Sequence, residues 1–160
     1  MTFSPQLEAK ISKLLSSYPP GRQRGALVPM LLFTQDEVGA VTHEVVEEIA
    51  RRIGIFPLQV EEVLSYYSML RRKPLGKHHV QICTNISCML TGGAELFEYA
   101  CKKLGIGNKE ITADGSISIE EVECIGACSW APACQVNYDF HHKVTPQKLD
   151  EIFAACSKSN

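Results

Sequence analysis

Four of the seven cysteines stand in two pairs, Cys83-Thr-Asn-Ile-Ser-Cys88 and Cys124-Ile-Gly-Ala-Cys128. Each pair follows an apolar stretch, Val80-Gln81-Ile82 before the first and Val122-Glu123 before the second. The pattern reads as two strands, each delivering a thiol-bearing loop to the same end of a small sheet. Four thiolates that converge need a cation to offset their charge. Structural zinc takes four thiolates, but its knuckles use pairs two residues apart, and the loops here are wider. A thiol–disulfide enzyme needs Cys-x-x-Cys at a helix start, which the sequence lacks. A Rieske centre needs two histidines beside its cysteines, and neither loop has one. Plant-type ferredoxins place three ligands in one run, unlike this chain. The spacing therefore points first to a [2Fe–2S] cluster on Cys83, Cys88, Cys124 and Cys128, and so to electron transfer. Zinc and disulfides stay as the alternatives.

Such a cluster is a dianion that becomes a trianion on reduction, so it needs donors nearby. The helix start after Cys88 offers unpaired N–H groups and a positive dipole end. Gly126 and Ala127 are small enough for backbone amides to approach the sulfurs. The other three cysteines fall on apolar faces and read as small buried hydrophobes: Cys101, Cys134 and Cys156. His43, His78, His79, His141 and His142 read as solvated turn or strand-end residues. Trp130 reads as packing beside the second loop. Gly105-Ile-Gly107 lacks a third glycine and ends a helix, so no dinucleotide fingerprint is present.

Two sets of elements must carry these loops. In the N-terminal half, Ser4 and Pro5 open a helix with Leu7, Ile11, Leu14 and Leu15 on one face, ended by Tyr18-Pro19-Pro20-Gly21. A second helix is expected from about Gly25 to Glu37, stopping at Gly39. Thr42 caps a third, with Val45, Val46, Ile49, Ala50 and Ile53 inward and Gly54 as its stop. Pro57 opens a fourth, carrying Val60, Val63, Leu64 and Tyr67 at helical spacing. The cluster Tyr66, Tyr67, Met69 and Leu70 is dense in large apolar groups and reads as packing or as a surface for a partner.

Arg71-Arg72-Lys73-Pro74-Leu75-Gly76-Lys77 is a basic linker, which places a boundary between a helical domain, 1–74, and a second domain, 75–160. There, His79 to Ile82 reads as a strand, Gly92-Gly93 starts a helix to about Leu104, and Asp114-Gly115 turns into a strand near Ser116. That strand alternates imperfectly, so a bulge is expected. A short strand carries Cys134, Val136 and Tyr138 on one face, His141-His142 is a turn, and Thr145-Pro146 starts a last helix through Leu149, Ile152, Phe153 and Cys156. Strand, helix, strand, strand, helix is the thioredoxin-like plan in miniature. The fold class is α+β: an N-terminal helical bundle, then a thioredoxin-like α/β domain with a small mixed sheet.

Composition fits this reading. The 160 residues carry a net charge of −2, which gives no basic field for nucleic acid. The apolar run Ala26 to Phe33 is too short to span a bilayer. The N-terminus has neither a secretory nor a transit-peptide pattern, so a bacterial cytoplasmic location is expected.

The run Val122-Glu-Cys124-Ile-Gly-Ala-Cys128, with Ala131-Pro132 and Gln135-Val-Asn137, closely resembles the family of thioredoxin-like [2Fe–2S] subunits of bacterial NADH:quinone oxidoreductase, respiratory complex I. Cys83, Cys88-Met89-Leu90 and Gly92 match that family's first ligand loop. Tyr18-Pro19-Pro20, Gln35 to Gly39, Val63-Leu-Ser-Tyr-Tyr-Ser-Met69 and Thr145-Pro146 match its remaining landmarks. The resemblance implies one [2Fe–2S] cluster held by Cys83, Cys88, Cys124 and Cys128. It implies a flavoprotein partner that carries FMN and oxidises NADH, gripped in part by the helical half and Tyr66-Tyr67. It implies a brief one-electron reservoir and a position peripheral to the inner membrane through the complex. Ser65-Tyr66 and Ser129-Trp130 depart from the family's usual residues. The rival readings are a related subunit of an NAD-reducing hydrogenase or formate dehydrogenase, a free-standing ferredoxin and a zinc-stabilised interaction module.

Overall fold

The computed structural model describes residues 1–158, which divide into two compact units at Pro74 and Leu75. The first unit holds four helices: α1 (Pro5–Ser16), α2 (Leu27–Val38), α3 (His43–Ile53) and α4 (Pro57–Tyr66). Ser4 caps α1 by accepting the Leu7 N–H at 3.1 Å, and Leu7 and Ile11 are buried. The expected second helix is split. Gln23–Ala26 forms a 3₁₀ turn in which the Gly25 N–H donates to the Arg22 carbonyl, and α2 begins only at Leu27. A glycine that packs against the Tyr18 ring favours the tighter turn over an α-helical start. Gly39 and Gly54 close α2 and α3 in the left-handed conformation.

The core of this unit includes Met30, Leu31, Val45, Val46, Ile49 and Val60. Burying each such side chain stabilises by about 1.5–3 kcal/mol. Gln35, buried in α2, donates to the Met69 carbonyl at 3.0 Å and accepts the Arg71 N–H at 2.7 Å, which ties down the segment after α4. Arg52 makes two bonds of 2.6 Å to Glu8 and one of 2.6 Å to Glu48, with its guanidinium 4.5 Å above the Phe3 ring. Tyr67 is not on the α4 face: it is the extended residue that ends the helix. Tyr66 is 81% exposed and Met69 50%, whereas Leu70 is buried.

The second unit holds β1 (His78–Cys83), α5 (Ile86–Leu90), α6 (Gly93–Leu104), β2 (Ile117–Val122), β3 (Cys134–Val136), β4 (Asp139–His141) and α7 (Pro146–Lys158). The sheet order is β2-β1-β3-β4. β1 and β2 are parallel, and β3 and β4 follow antiparallel. Helices α6 and α7 share an apolar core with one face of the sheet, through Leu96, Ala100, Leu149, Ile152 and Phe153 against Val80, Ile82, Ile117 and Ile119.

Four expectations fail here. The β1–β2 register runs without interruption from His78↔Ile117 to Cys83↔Val122, so there is no bulge. The alternation looks imperfect because Val122 falls on the face of Ser118 and Glu120, where it pairs with Cys83 and packs against the small cluster at the sheet end. Tyr138 lies beyond β3 and is 75% exposed. His141 ends β4, a three-residue strand too short to leave a pattern. Helix α5 is one turn long and lies inside the first cysteine pair, where a loop was expected. Among the described residues, no helix is long and apolar enough to cross a membrane.

Candidate metal centre

Parallel pairing of β1 and β2 carries both cysteine segments to one sheet end. Beyond Cys83 the ladder continues one step, with the Thr84 N–H on the Val122 carbonyl at 3.2 Å. The Thr84 hydroxyl adds a bond of 2.8 Å to Glu121. The Cys83 N–H reaches the Ala133 carbonyl at 3.2 Å, and its thiol points to the Glu123 carbonyl at 3.7 Å. Asn85 then caps α5 by accepting the Ile86 N–H at 2.7 Å. That turn of helix lifts Cys88 back to the end of β1. Cys83 and Cys88 are 3% and 2% exposed and pack with Ala127 and Ala133.

The second pair sits differently. Cys124 and Cys128 are exposed, on the loop after β2 and at the start of a 3₁₀ turn, Cys128–Trp130. Gly126, at φ 75°, turns its N–H onto the Cys124 sulfur at 3.3 Å. The expected amide approach is therefore present at one sulfur. Among the described residues, no three His, Cys, Asp or Glu side chains gather as they would around a single ion.

The donor chemistry fits a thiolate-bound cofactor. Burial pushes the Cys88 thiol up to about 11, and the neighbouring Cys83 and Cys128 push it the same way against a backbone bond at Ala133. Cys88 thus senses a neighbour from its own segment and one from the second. A thiol held this high stays protonated at neutral pH unless a cation replaces the proton. The small packing partners Ala127 and Ala133 put little bulk beside these sulfurs.

The remaining candidates sort clearly. Burial pushes Cys134 up to about 12 and raises Cys101 and Cys156, as expected for core thiols. Trp130 is half-exposed, sits in the same 3₁₀ turn as Cys128 and stacks on His142 at 5.0 Å. His79 is not solvated: it is buried, with Nδ1 2.9 Å from the Ser118 hydroxyl and Nε2 3.0 Å from Glu120. The sequence signal for that trio was the polar residue at alternate positions of both strands, His79 and Gln81 opposite Ser118 and Glu120. The signal for α5 was Asn85, a capping residue read only as a loop residue.

Comparison with known proteins places the chain in a family. Residues 11–157 match the family described as thioredoxin-like [2Fe-2S] ferredoxin. The chain is 39% identical over 155 residues to NADH-quinone oxidoreductase subunit 2 of Thermus thermophilus, covering 96% of this chain and 86% of that one. It is 35% identical over 140 residues to an NADH-quinone oxidoreductase subunit of Rickettsia bellii, covering 87% and 84%. A crystal structure of an NAD+-reducing [NiFe]-hydrogenase in the H2-reduced state superposes with a TM-score of 0.72 at 16% identity, over 84% of this chain and 22% of that one, a likeness of fold. The chain belongs to the thioredoxin-like [2Fe–2S] ferredoxin family, among relatives that are subunits of NADH-quinone oxidoreductase.

Proposed function

We propose that Cys83, Cys88, Cys124 and Cys128 hold one [2Fe–2S] cluster. The chain then serves as a one-electron acceptor and reservoir beside the FMN of the NADH-oxidising module of an NADH-quinone oxidoreductase. The observation that carries this reading is the parallel β1–β2 ladder ending at Cys83↔Val122, which brings the buried pair Cys83–Cys88 and the segment of Cys124 and Cys128 to one end of the sheet. When bound, the cluster supplies a one-electron couple.

The chain's own residues do the rest. Ala127 and Ala133 pack around the buried thiols and keep water from them. The Gly126 N–H offers a donor to the Cys124 sulfur. Exposure of Cys124 and Cys128 leaves this edge open to a docked partner. The partner in this reading is the flavoprotein that binds FMN and NADH, with the helical unit, 1–74, contributing Tyr66 and Tyr67 to the grip. The module sits on the cytoplasmic side, peripheral to the inner membrane through its complex. The relatives' names support the quinone-linked assembly; the hydrogenase likeness rests on fold, and a hydrogenase subunit is the alternative.

The test is purification from the native host. The expected result is iron and sulfide near two each per chain and a dithionite-reduced EPR signal of a [2Fe–2S] centre. A chain binding FMN and NADH should co-purify. A colourless, EPR-silent protein with one zinc would overturn the proposal. Hydrogenase subunits in the complex would replace the quinone-linked reading.

A further inference from the structure

The two cysteine segments are held unequally. Cys83 and Cys88 are buried, whereas Cys124 and Cys128 are exposed. An exposed loop keeps a ligand in place only where something outside the loop fixes it. Here the outside element is the chain that leaves β4, residues 142–144. The Lys143 N–H donates to the Trp130 carbonyl at 2.8 Å, and the Val144 N–H donates to the Pro132 carbonyl at 2.8 Å. Trp130 lies two residues past Cys128 in the same 3₁₀ turn, and its N–H closes that turn on the Ala127 carbonyl at 2.9 Å. Its indole stacks on the His142 ring at 5.0 Å with 24° between the planes, and Phe140 flanks His142 at 6.3 Å. The far side of this stretch is anchored. Val144 is buried in the core under the sheet, and Lys148 of α7 donates to the His142 carbonyl at 2.7 Å. Lys143 holds a φ of 48°, a left-handed conformation that residues with a Cβ seldom adopt. The chain accepts that strain where it lays His142 against the indole and offers the Lys143 N–H to Trp130.

We propose that residues 142–144 form a strap that positions the Cys124–Cys128 segment, with the Trp130–His142 stack as its clasp. The inference rests on the cluster reading above. Trp130 is a positioning residue: it fixes its own turn, and through that turn the Cys128 sulfur. The buried pair needs no such device, because β1 and the small cluster at the sheet end already hold it. Aromatic pairs shift an equilibrium by roughly two- to tenfold beyond the area they bury. Removal of the indole therefore loosens one ligand segment while the two backbone bonds of the strap, and the fold around them, remain.

The test uses the cluster-loaded full chain and measures iron release to a chelator, the reduced EPR spectrum and thermal unfolding side by side. Trp130→Ala should release iron roughly two- to tenfold faster than wild type. Its reduced EPR lines should broaden, because Cys128 then takes more than one placement. Trp130→Phe, which can still stack on His142, should restore most of both. His142→Ala should match Trp130→Ala, and the double variant should go no further, since both changes remove one contact. Tyr99→Phe is the control: it removes two bonds of 2.9 Å to Asp150 between α6 and α7. It should lower the unfolding temperature and leave iron release and the EPR lines unchanged. If Trp130→Ala fails to fold, His142→Ala decides by the same readouts. Wild-type release and line shape in both variants, additive effects in the double variant, or equal acceleration by Tyr99→Phe overturn the strap while leaving the cluster in place. An EPR-silent wild type overturns the cluster reading and this inference with it.

Discussion

The two units store their stability in different places. The helical unit buries one continuous apolar core and closes its charged residues among themselves, Arg52 with Glu8 and Glu48. The sheet unit has two separate apolar clusters, a large one under the sheet and a small one whose members include two cysteines. Its buried polar groups sit along one strand face that leads to those cysteines. If the proposed cluster sits there, the difference separates a unit stabilised by its own side chains from one whose sheet end would draw on a bound cofactor for part of its stability.

The largest expected effect tests that separation. Cys88→Ala and Cys124→Ala should each lose most of the iron and the reduced EPR signal. Hydrogen exchange should then show amides of α5 and the 124–130 loop opening, while α2 and α3 keep their protection. Binding energies of structural thiolate sites run to about 10 kcal/mol or more, so the cofactor-dependent end should loosen far more than a single core mutation achieves. Equal loosening in both units would remove the distinction. Retention of full iron by Cys124→Ala would remove the ligand assignment.

Acid should discriminate in the other direction. The Arg51 and Arg52 guanidinium groups hold the Glu48 carboxyl down at about 2, from an ordinary 4.5. A carboxylate depressed in the fold contributes stability that is complete above about pH 4.5 and fades as pH falls toward 2. Urea unfolding of the helical unit, followed by exchange at α3, should weaken by about 1–2 kcal/mol between pH 6 and pH 3. Glu48→Gln should remove most of that slope. A Glu48→Gln protein with an unchanged slope would place the acid sensitivity elsewhere.

Much of this contrast is legible in the residues. Ser4, Thr42, Gly39 and Gly54 announce helix ends, because caps and left-handed stops work through the backbone next to them. The two cysteine spacings point to the proposed centre, and the strands before them, β1 and β2, pair in parallel and bring both segments to one sheet end. What escapes a reading of the sequence is set by partners distant along the chain. His79 looks like a strand-end residue until Ser118 and Glu120, 39 and 41 positions away, arrive beside it. β4 is three residues long and exists through its pairing with β3. Trp130 looks like packing beside its own loop, yet its stacking partner is His142, brought over by the β3–β4 hairpin.

A smaller effect concerns the surface of the helical unit. Tyr66 is 81% exposed, so Tyr66→Ser should leave unfolding within about 0.5 kcal/mol of wild type. In the proposed complex the same change should weaken binding to the flavoprotein roughly tenfold or more, as for an aromatic anchor. Unchanged affinity by titration calorimetry would take Tyr66 out of the interface.

The smallest effect is the sharpest control on the sulfur assignment. Cys101 lies on α6, partly buried against the core of the sheet unit. Burial raises its thiol first, and Glu121, Glu110 and Glu98 raise it further, but what separates it from Cys83 and Cys88 is position: it packs with the large core and not with the small cluster at the sheet end. Cys101→Ser should therefore keep its iron, its reduced EPR spectrum and its potential, and lose less than about 1 kcal/mol of stability from the altered packing. Iron analysis beside Cys124→Ala makes the comparison direct. If Cys101→Ser loses iron and Cys124→Ala keeps it, the centre is built on α6 and not at the joint end of β1 and β2.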